Sequence, residues 1–474
     1  MNSVIITFLM FLLLFVLIGV SSALKGRKTK EDYLIASRDI HPWLGAISAA
    51  ATNTSGYMFI GLIGFTYKFG ISSIWVTVGW ITGDYFLWRL MYKRMREETE
   101  RVKANTVSSF IGYCQKTGVD PLIKAAAGIV TLVFLATYAS AQLTAGGKAL
   151  HVLFDWNYST GAIIGATIVL IYCFSGGIRA SIWTDAAQAT VMIISMGILL
   201  IISALHVGSP MSLFSQLGAI DPKLVTLFPE RLEFGVALYV LGWVAAGVGV
   251  AGEPDMQIRI MSISSPERMK AGRRTYFAWY IPFSIASVLV GLYSRVLLPD
   301  VKTFDPELAL PTLSMNMLPE AFVGLILAGL FAATMSTADS QVLSSGAALT
   351  QDIFPKLGKT RRNTKIGTLL IVTFALSFAI FAQGRQNVFE IVTMAWSGLG
   401  ASLGPLMILR SFGKEIGRKT AITMMISGVL MVLLWRYHFK LFGSLYEILP
   451  GLLVAFSIYY MSLFINRLQG RRNT

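Results

Sequence analysis

Apolar stretches of about twenty residues, each long enough to cross a hydrocarbon layer about 30 Å thick, follow one another along almost the whole chain. They are read at 4–24, 43–68, 71–92, 121–150, 158–176, 180–206, 234–258, 275–298, 319–350, 365–383, 388–409, 419–437 and 445–466, and no segment between them is long enough for a soluble domain. Lipid offers no partner to backbone N–H and C=O groups, so such stretches are helices. Composition agrees, since 54% of the 474 residues are hydrophobic and 14% charged, with mean hydropathy +0.63, too apolar for a water-soluble globule. The expected class is an all-α integral membrane protein of about thirteen transmembrane helices, one polytopic unit over 1–474 with the lipid bilayer as partner.

The first stretch has the length of a secretory signal, but Met1-Asn2-Ser3 precede it without a basic residue, and Lys25, Arg27, Lys28 and Lys30 follow it. It is expected to remain as a helix with its amino end outside. Translocated loops disfavour basic residues, and sorting the 40 Lys and Arg onto alternate sides puts about 31 on one side. They cluster at Arg94/Arg96/Arg101/Lys103, Arg268/Lys270/Arg273/Arg274, Lys356/Lys359/Arg361/Arg362/Lys365, Lys414/Arg418/Lys419 and Arg467/Arg471/Arg472. These loops and the carboxyl end are expected in the cytoplasm, with the chain in the cell's inner (plasma) membrane. The same scatter accounts for the net charge of +15 without nucleic acid. Cys114 and Cys173 show no metal-like spacing, and the histidines form no i, i+4 pair. No serine-histidine-acid set or phosphate loop is present, so an enzyme is not expected, nor an organic cofactor, nor an obligate protein partner. A membrane solute sensor is the rival class, disfavoured because the chain stops at Thr474 with no room for a signalling module.

Two spans carry residues that weaken helices at mid-membrane. Span 2 contains the run Ser48 to Tyr57 (Ser-Ala-Ala-Ala-Thr-Asn-Thr-Ser-Gly-Tyr), and span 7 contains Gly242, Gly247, Gly249, Gly252 and Pro254, with Glu253 and Asp255 beside the proline. Close packing of small residues would explain either segment alone. Spans 2 and 7 are five apart, however, so they cross in opposite directions and take equivalent places in two inverted five-helix repeats, at 43–206 and 234–410. Residues 1–42 then form a first helix and loop, and 411–474 two further helices and a tail. Broken first helices of inverted repeats are where transporters of this kind hold solute and coupling ion.

Intramembrane acids and hydroxyls lie at the same depth: Ala332 to Ser340 in span 9 (Ala-Ala-Thr-Met-Ser-Thr-Ala-Asp-Ser), and Trp183-Thr184-Asp185 with Gln188 in span 6. A carboxylate there is a functional site by default. Ser336 and Asp339, three apart, share a helical face. Sodium, a hard cation, takes five or six oxygens, and carbonyls of an unwound span 2 with hydroxyls of span 9 can supply them. The alternative for Ser336 and Thr337 is bonding back to their own helix. For Asp84 and Glu253 a structural polar contact is an equal expectation.

At these residues the chain resembles the sodium:solute symporter family. The resemblance runs from Asp32-Tyr33-Leu34 and Ala36-Ser37-Arg38 through Ser55-Gly56 with Gly61, Ser175-Gly176-Gly177, Trp183-Thr184-Asp185, Met335-Ser336-Thr337 and Ala395 to Gly400 with Gly404-Pro405, ending at Leu445 to Gly451. It implies a leucine-transporter-like core built from the two repeats. It also implies a sodium site of the carbonyls of Ala51, Thr54 and Ala333 with the hydroxyls of Ser336 and Thr337, and Asp185 near a second cation position. Solute contacts are implied at Thr52, Asn53, Ser55, Gly56 and Tyr57 on span 2, Tyr138 on span 4, and Trp243, Ala246 and Gly249 on span 7; core packing is the alternative for Tyr138.

The implied function is sodium-coupled uptake of a small solute by alternating access, an amino acid of proline type first, with a small organic acid such as pantothenate, or coupling to a proton, as alternatives. The chain departs from proline-carrying members at Asn53 for an aspartate, Ala246 for a tryptophan, Glu253-Pro254 for Gln-Pro, and Asp339 for a small polar residue. Asn53 and Asp339 are expected to face a common core, so that Asp339 restores the lost charge, and Asp185 and Asp339 to share a cation.

Overall fold

A computed structural model describes residues 2–24, 26–27, 29–298, 304–382 and 387–472; Met1, Lys25, Lys28 and Thr474 lie outside them, as do the side chains of Ser175, Arg361, Arg471 and Arg472. Among the described residues, eleven helical stretches are long and apolar enough to cross a membrane. Thirteen crossings are expected from the sequence, and the difference lies in two places. Spans 2 and 3 form the single apolar stretch Pro42–Leu90, and span 5 is the shorter apolar helix Tyr158–Ile171.

The principal helices are α1 (Asn2–Leu24), α2 (Pro42–Gly56), α3 (Leu62–Phe69), α4 (Ile74–Leu90), α5 (Pro121–Phe154), α6 (Tyr158–Gly176), α7 (Ile178–Val207), α8 (Gly235–Gly249), α9 (Pro254–Ser262) and α10 (Met269–Leu297). They continue with α11 (Ala309–Met317), α12 (Glu320–Ala347), α13 (Arg361–Ala382), α14 (Val388–Ser411), α15 (Arg418–Leu433) and α16 (Ile448–Arg472). Several start as the sequence dictates: Pro121 is the first residue of α5, with the Asp120 carboxylate accepting from the N–H groups of Leu122 and Ile123.

Both expected breaks are present, with separate causes. Helix α2 is broken at Ser55, one residue before its end, where the backbone (φ 51°, ψ 173°) lies in a region that side chains disfavour, at a cost of about 1–3 kcal/mol. The serine hydroxyl accepts the Tyr57 N–H at 3.0 Å, and a wide turn over Tyr57–Gly61 leads into α3. In span 7 the cause is Pro254, which pushes the residue before it out of the helical region; Glu253 is extended (φ −90°, ψ 102°) and α9 starts at the proline. Gly247 and Gly249 serve packing instead, since a Cβ on Gly247 would lie 2.1 Å from the Trp80 carbonyl and one on Gly249 2.2 Å from Ile448.

Helix α12 is the axis of the bundle, packing on α2, α5 and α7. Its apolar window is 83% buried against 28% for those of α1, α15 and α16, which identifies the latter as peripheral. Ile6, Leu9, Met10, Leu13 and Leu17 accordingly leave α1 exposed on the side turned to lipid.

The two ends of the bundle are tied differently. At the basic end, Ile40 and Ile263 form a backbone bridge joining the start of α2 to the end of α9, Arg38 donates to the carbonyls of Met261 (3.1 Å) and Thr99 (3.1 Å), and Arg96 donates to that of Ile263 (2.6 Å). At the other end Glu307, in the short turn before α11, pairs with Lys148 of α5 at 2.6 Å and accepts the N–H groups of Val388 and Phe389 at the start of α14. A cavity of about 250 Å³ lined by Phe65, Phe69, Glu307 and Phe389 sits at this end.

Candidate functional site

The break in α2 turns backbone carbonyls toward α12. The Ser336 hydroxyl donates to the carbonyls of Ala51 (3.4 Å) and Ala333 (3.1 Å), and the Thr337 hydroxyl to that of Thr52 (2.9 Å). These five oxygens are buried, uncharged and contributed by two helices, a donor set that fits a small hard monovalent cation. Ala51, Ala333, Ser336 and Thr337 are thus brought together, and Thr52 joins them through its carbonyl. Thr54 stands apart: its carbonyl accepts from the Tyr57 N–H, and its hydroxyl donates to the Ala50 carbonyl at 2.8 Å.

Between Asp185 and Asp339, where a shared coupling cation is expected, the structure has the side chain of Arg259. This guanidinium, fully buried, lies 2.8 Å from Asp185 and 4.0 Å from Asp339. It also donates to Ser48 (2.8 Å), Ser181 (2.9 Å) and Ser340. Ser48 donates to Asp185 at 2.6 Å, and Ser181 and Ser340 donate to Asp339 at 3.0 and 2.9 Å. One carboxylate oxygen of each acid has no hydrogen-bond partner. Asn53 does not look onto this cluster: its amide donates to the Tyr276 hydroxyl at 2.5 Å, on α10, a tyrosine that also lies against Asp84. The charge exchange expected between Asn53 and Asp339 therefore has no common site, because α2 presents Ser48 to Asp185 and Arg259 but Asn53 to α10.

Beyond the carbonyls, several of the residues expected to contact solute gather around Ser55. Tyr138 donates to the Ser55 hydroxyl at 3.3 Å, and Gln142, four residues on, accepts the Gly56 N–H at 2.8 Å. Gly56 is wedged so that a Cβ there would lie 2.5 Å from Thr334. Aromatic rings cover the place: Tyr57 with Phe389 (5.4 Å) and Trp80 (5.8 Å), Trp80 with Trp396 (4.5 Å), and Trp396 with Tyr138 (6.4 Å). The expected contacts from span 7 are not brought here. Trp243 stacks on Tyr446 at 4.8 Å, Gly249 abuts Ile448, and Ala246 reaches the group only through its carbonyl, which accepts from the Trp396 indole at 3.0 Å.

Sequence reasoning missed Arg259, Gln142, Trp80, Phe389 and Trp396. Arg259 lies one residue beyond the expected end of span 7, whereas the helix that starts at Pro254 runs on to Ser262. Gln142 was detectable as an amide in an apolar span one turn from Tyr138, whereas the aromatic residues carry no signal apart from core.

Comparison with known proteins gives concordant results. A family model for the sodium:solute symporter family matches residues 33–428. Sodium/proline symporters of Staphylococcus aureus strains USA300 and JH9 are each 30% identical over 95% of this chain and 90% of their own length. Among solved structures, a sodium-coupled sialic acid symporter in a substrate-bound outward-open state aligns with TM-score 0.76 at 18% identity, over 96% of this chain and 97% of that one. A nucleobase-cation-symport-1 family transporter in a closed conformation aligns with TM-score 0.54 at 14% identity, over 90% and 94%. The fold is the leucine-transporter-like one of two inverted five-helix repeats.

Proposed function

We propose, for a chain that belongs to the sodium:solute symporter family, that it carries a small amino acid of proline type inward together with sodium. The chain is a membrane transporter and not an enzyme. The observation that carries the sodium assignment is the meeting of Ser336 and Thr337 with the carbonyls of Ala51 and Thr52 across the α2–α12 interface. A sodium ion received there exchanges hydroxyl-to-carbonyl hydrogen bonds for ion–oxygen contacts made to both helices, so its binding favours arrangements in which α2 and α12 stay together. Solute held at Ser55 and Gly56, on the same broken segment, favours the same arrangements. The two ligands are then coupled, each raising the affinity for the other.

The proline assignment is supported by the names of the Staphylococcus aureus relatives. A proton in place of sodium has less support, because Arg259 already lies between Asp185 and Asp339. The basic end is proposed to face the cytoplasm, so a tag in the 356–365 loop should resist external protease in intact cells.

Purified chain in proteoliposomes tests the function. Radiolabelled proline should accumulate under an inward sodium gradient and not under a potassium gradient of equal size. Sodium-independent uptake would overturn the coupling, and uptake of pantothenate in place of proline would overturn the solute class.

A further inference from the structure

Five carboxylates lie on the helices that meet at the centre, Asp84, Asp185, Glu253, Asp255 and Asp339, none more than 3% exposed. Four have partners. Asp185 and Asp339 face Arg259, Asp84 accepts from the Tyr92 hydroxyl at 3.4 Å, and Asp255 accepts the Met256 N–H at 3.0 Å. Glu253 differs: it is 0% exposed, and neither of its oxygens has a hydrogen-bond partner, the one such carboxylate among the described residues. A buried carboxylate in this condition costs several kcal/mol unless a cation or a proton meets it.

Its position says what could meet it. Glu253 and Ala50 each lie ten residues from the Ile40–Ile263 bridge, so at about 1.5 Å per helical residue Glu253 sits near the depth of Ala50 and its neighbour Ala51. It lies within electrostatic range of Tyr138, the residue bonded to Ser55. It is not part of the hydroxyl and carbonyl set shared by α2 and α12, so an ion held there does not pair with it. A second, independent feature is the group of rings over the same centre, Tyr57, Trp80, Tyr138 and Trp396, whose faces attract positive charge.

We propose that Glu253 and these rings form a receptor for a cationic nitrogen, so that the solutes carried are small molecules bearing an ammonium group, and anions lacking one are refused. The proposal rests on the symporter reading and adds the chemical class of its solute. The nitrogen pairs with the carboxylate and lies against the rings, while Ser55 and Gly56 hold the remainder of the solute.

The test uses full-length protein and four radiolabelled probes in proteoliposomes: proline, glycine betaine, choline and pantothenate. At least one of the first three should be taken up with sodium, and pantothenate should not. Glu253→Gln should raise the half-saturating concentration of the carried probe at least tenfold, Glu253→Asp less, and the sodium concentration that half-maximally raises the melting temperature should stay unchanged. Uptake of pantothenate overturns the proposal, as does unchanged solute affinity in Glu253→Gln. Where that variant fails to fold, Glu253→Asp and the selectivity of the native chain decide. If none of the four is carried while sodium still stabilises the protein, the ammonium receptor is wrong and the symporter reading stands; loss of the sodium effect as well overturns both.

Discussion

Ser336 and Thr337 donate across the interface to carbonyls of another helix, and Ser336 also donates back to Ala333 in its own. Both readings open from the sequence, cation ligand and back-bonding hydroxyl, are thus compatible with Ser336, whereas Thr337 bonds only forward. Ser336→Ala and Thr337→Ala should each raise the sodium concentration for half-maximal uptake roughly tenfold, the equivalent of about 1–2 kcal/mol for a lost ligand. Thr337→Ala should be the more severe, and expression should change little. Arg259 offers a separate test. Arg259→Met leaves two buried acids without their countercharge and should lower stability by about 3–5 kcal/mol, read as a fall in melting temperature. Adding Asp185→Asn to it should restore part of the loss, which an arginine engaged only in packing would not allow. Composition made the acids conspicuous, since any carboxylate in an apolar run stands out. The arginine was concealed because its distance from the apolar run depends on one extended residue, a backbone detail that hydropathy does not register.

At the scale of the element, the sequence was most informative where a physical conflict was written into it. Pro254 removes a backbone donor and disfavours helix at Glu253, so the span 7 break followed from residue chemistry alone. The span 2 break had a weaker signal, small and hydroxyl residues before a glycine, and the residue that takes the unusual backbone is Ser55 rather than Gly56. Contacts between elements were less legible. Nothing local tells that Trp243 turns to Tyr446, because which face of a helix meets which neighbour is decided by packing of the whole bundle. The Glu307 carboxylate is a case in point: remote in sequence from both partners, it joins α5 to the start of α14. Glu307→Gln weakens the ion pair and places an amide donor against an N–H group, which should loosen the turn before α11. In a background with Cys114→Ser and Cys173→Ser, Phe65→Cys in the cavity below that turn should react several-fold faster with an impermeant maleimide when Glu307→Gln is added. An unaltered rate would mean that Glu307 does not restrain the turn.

For the molecule as a whole, the apolar stretches identified the class and nearly all of the helices, and their uncertainty lay where one stretch holds two expected crossings or a helix is short. The proposed ion site lies at the centre of this bundle, and its five oxygens carry no formal charge, unlike the carboxylate cages that many cation-binding proteins use. A sodium ion seated among carbonyls and hydroxyls keeps its full charge as it crosses, and a zwitterionic solute adds none. Each cycle should therefore move one net positive charge inward and generate a current. An interior-negative potential of 100 mV contributes about 2.3 kcal/mol per sodium to the driving force, so accumulation should rise by more than tenfold when such a potential is imposed by potassium and valinomycin at constant sodium gradient. The charge moved per cycle is set by sodium and solute; what uncharged ligands should decide is where voltage acts, on the loaded crossing and not on the return of the empty carrier.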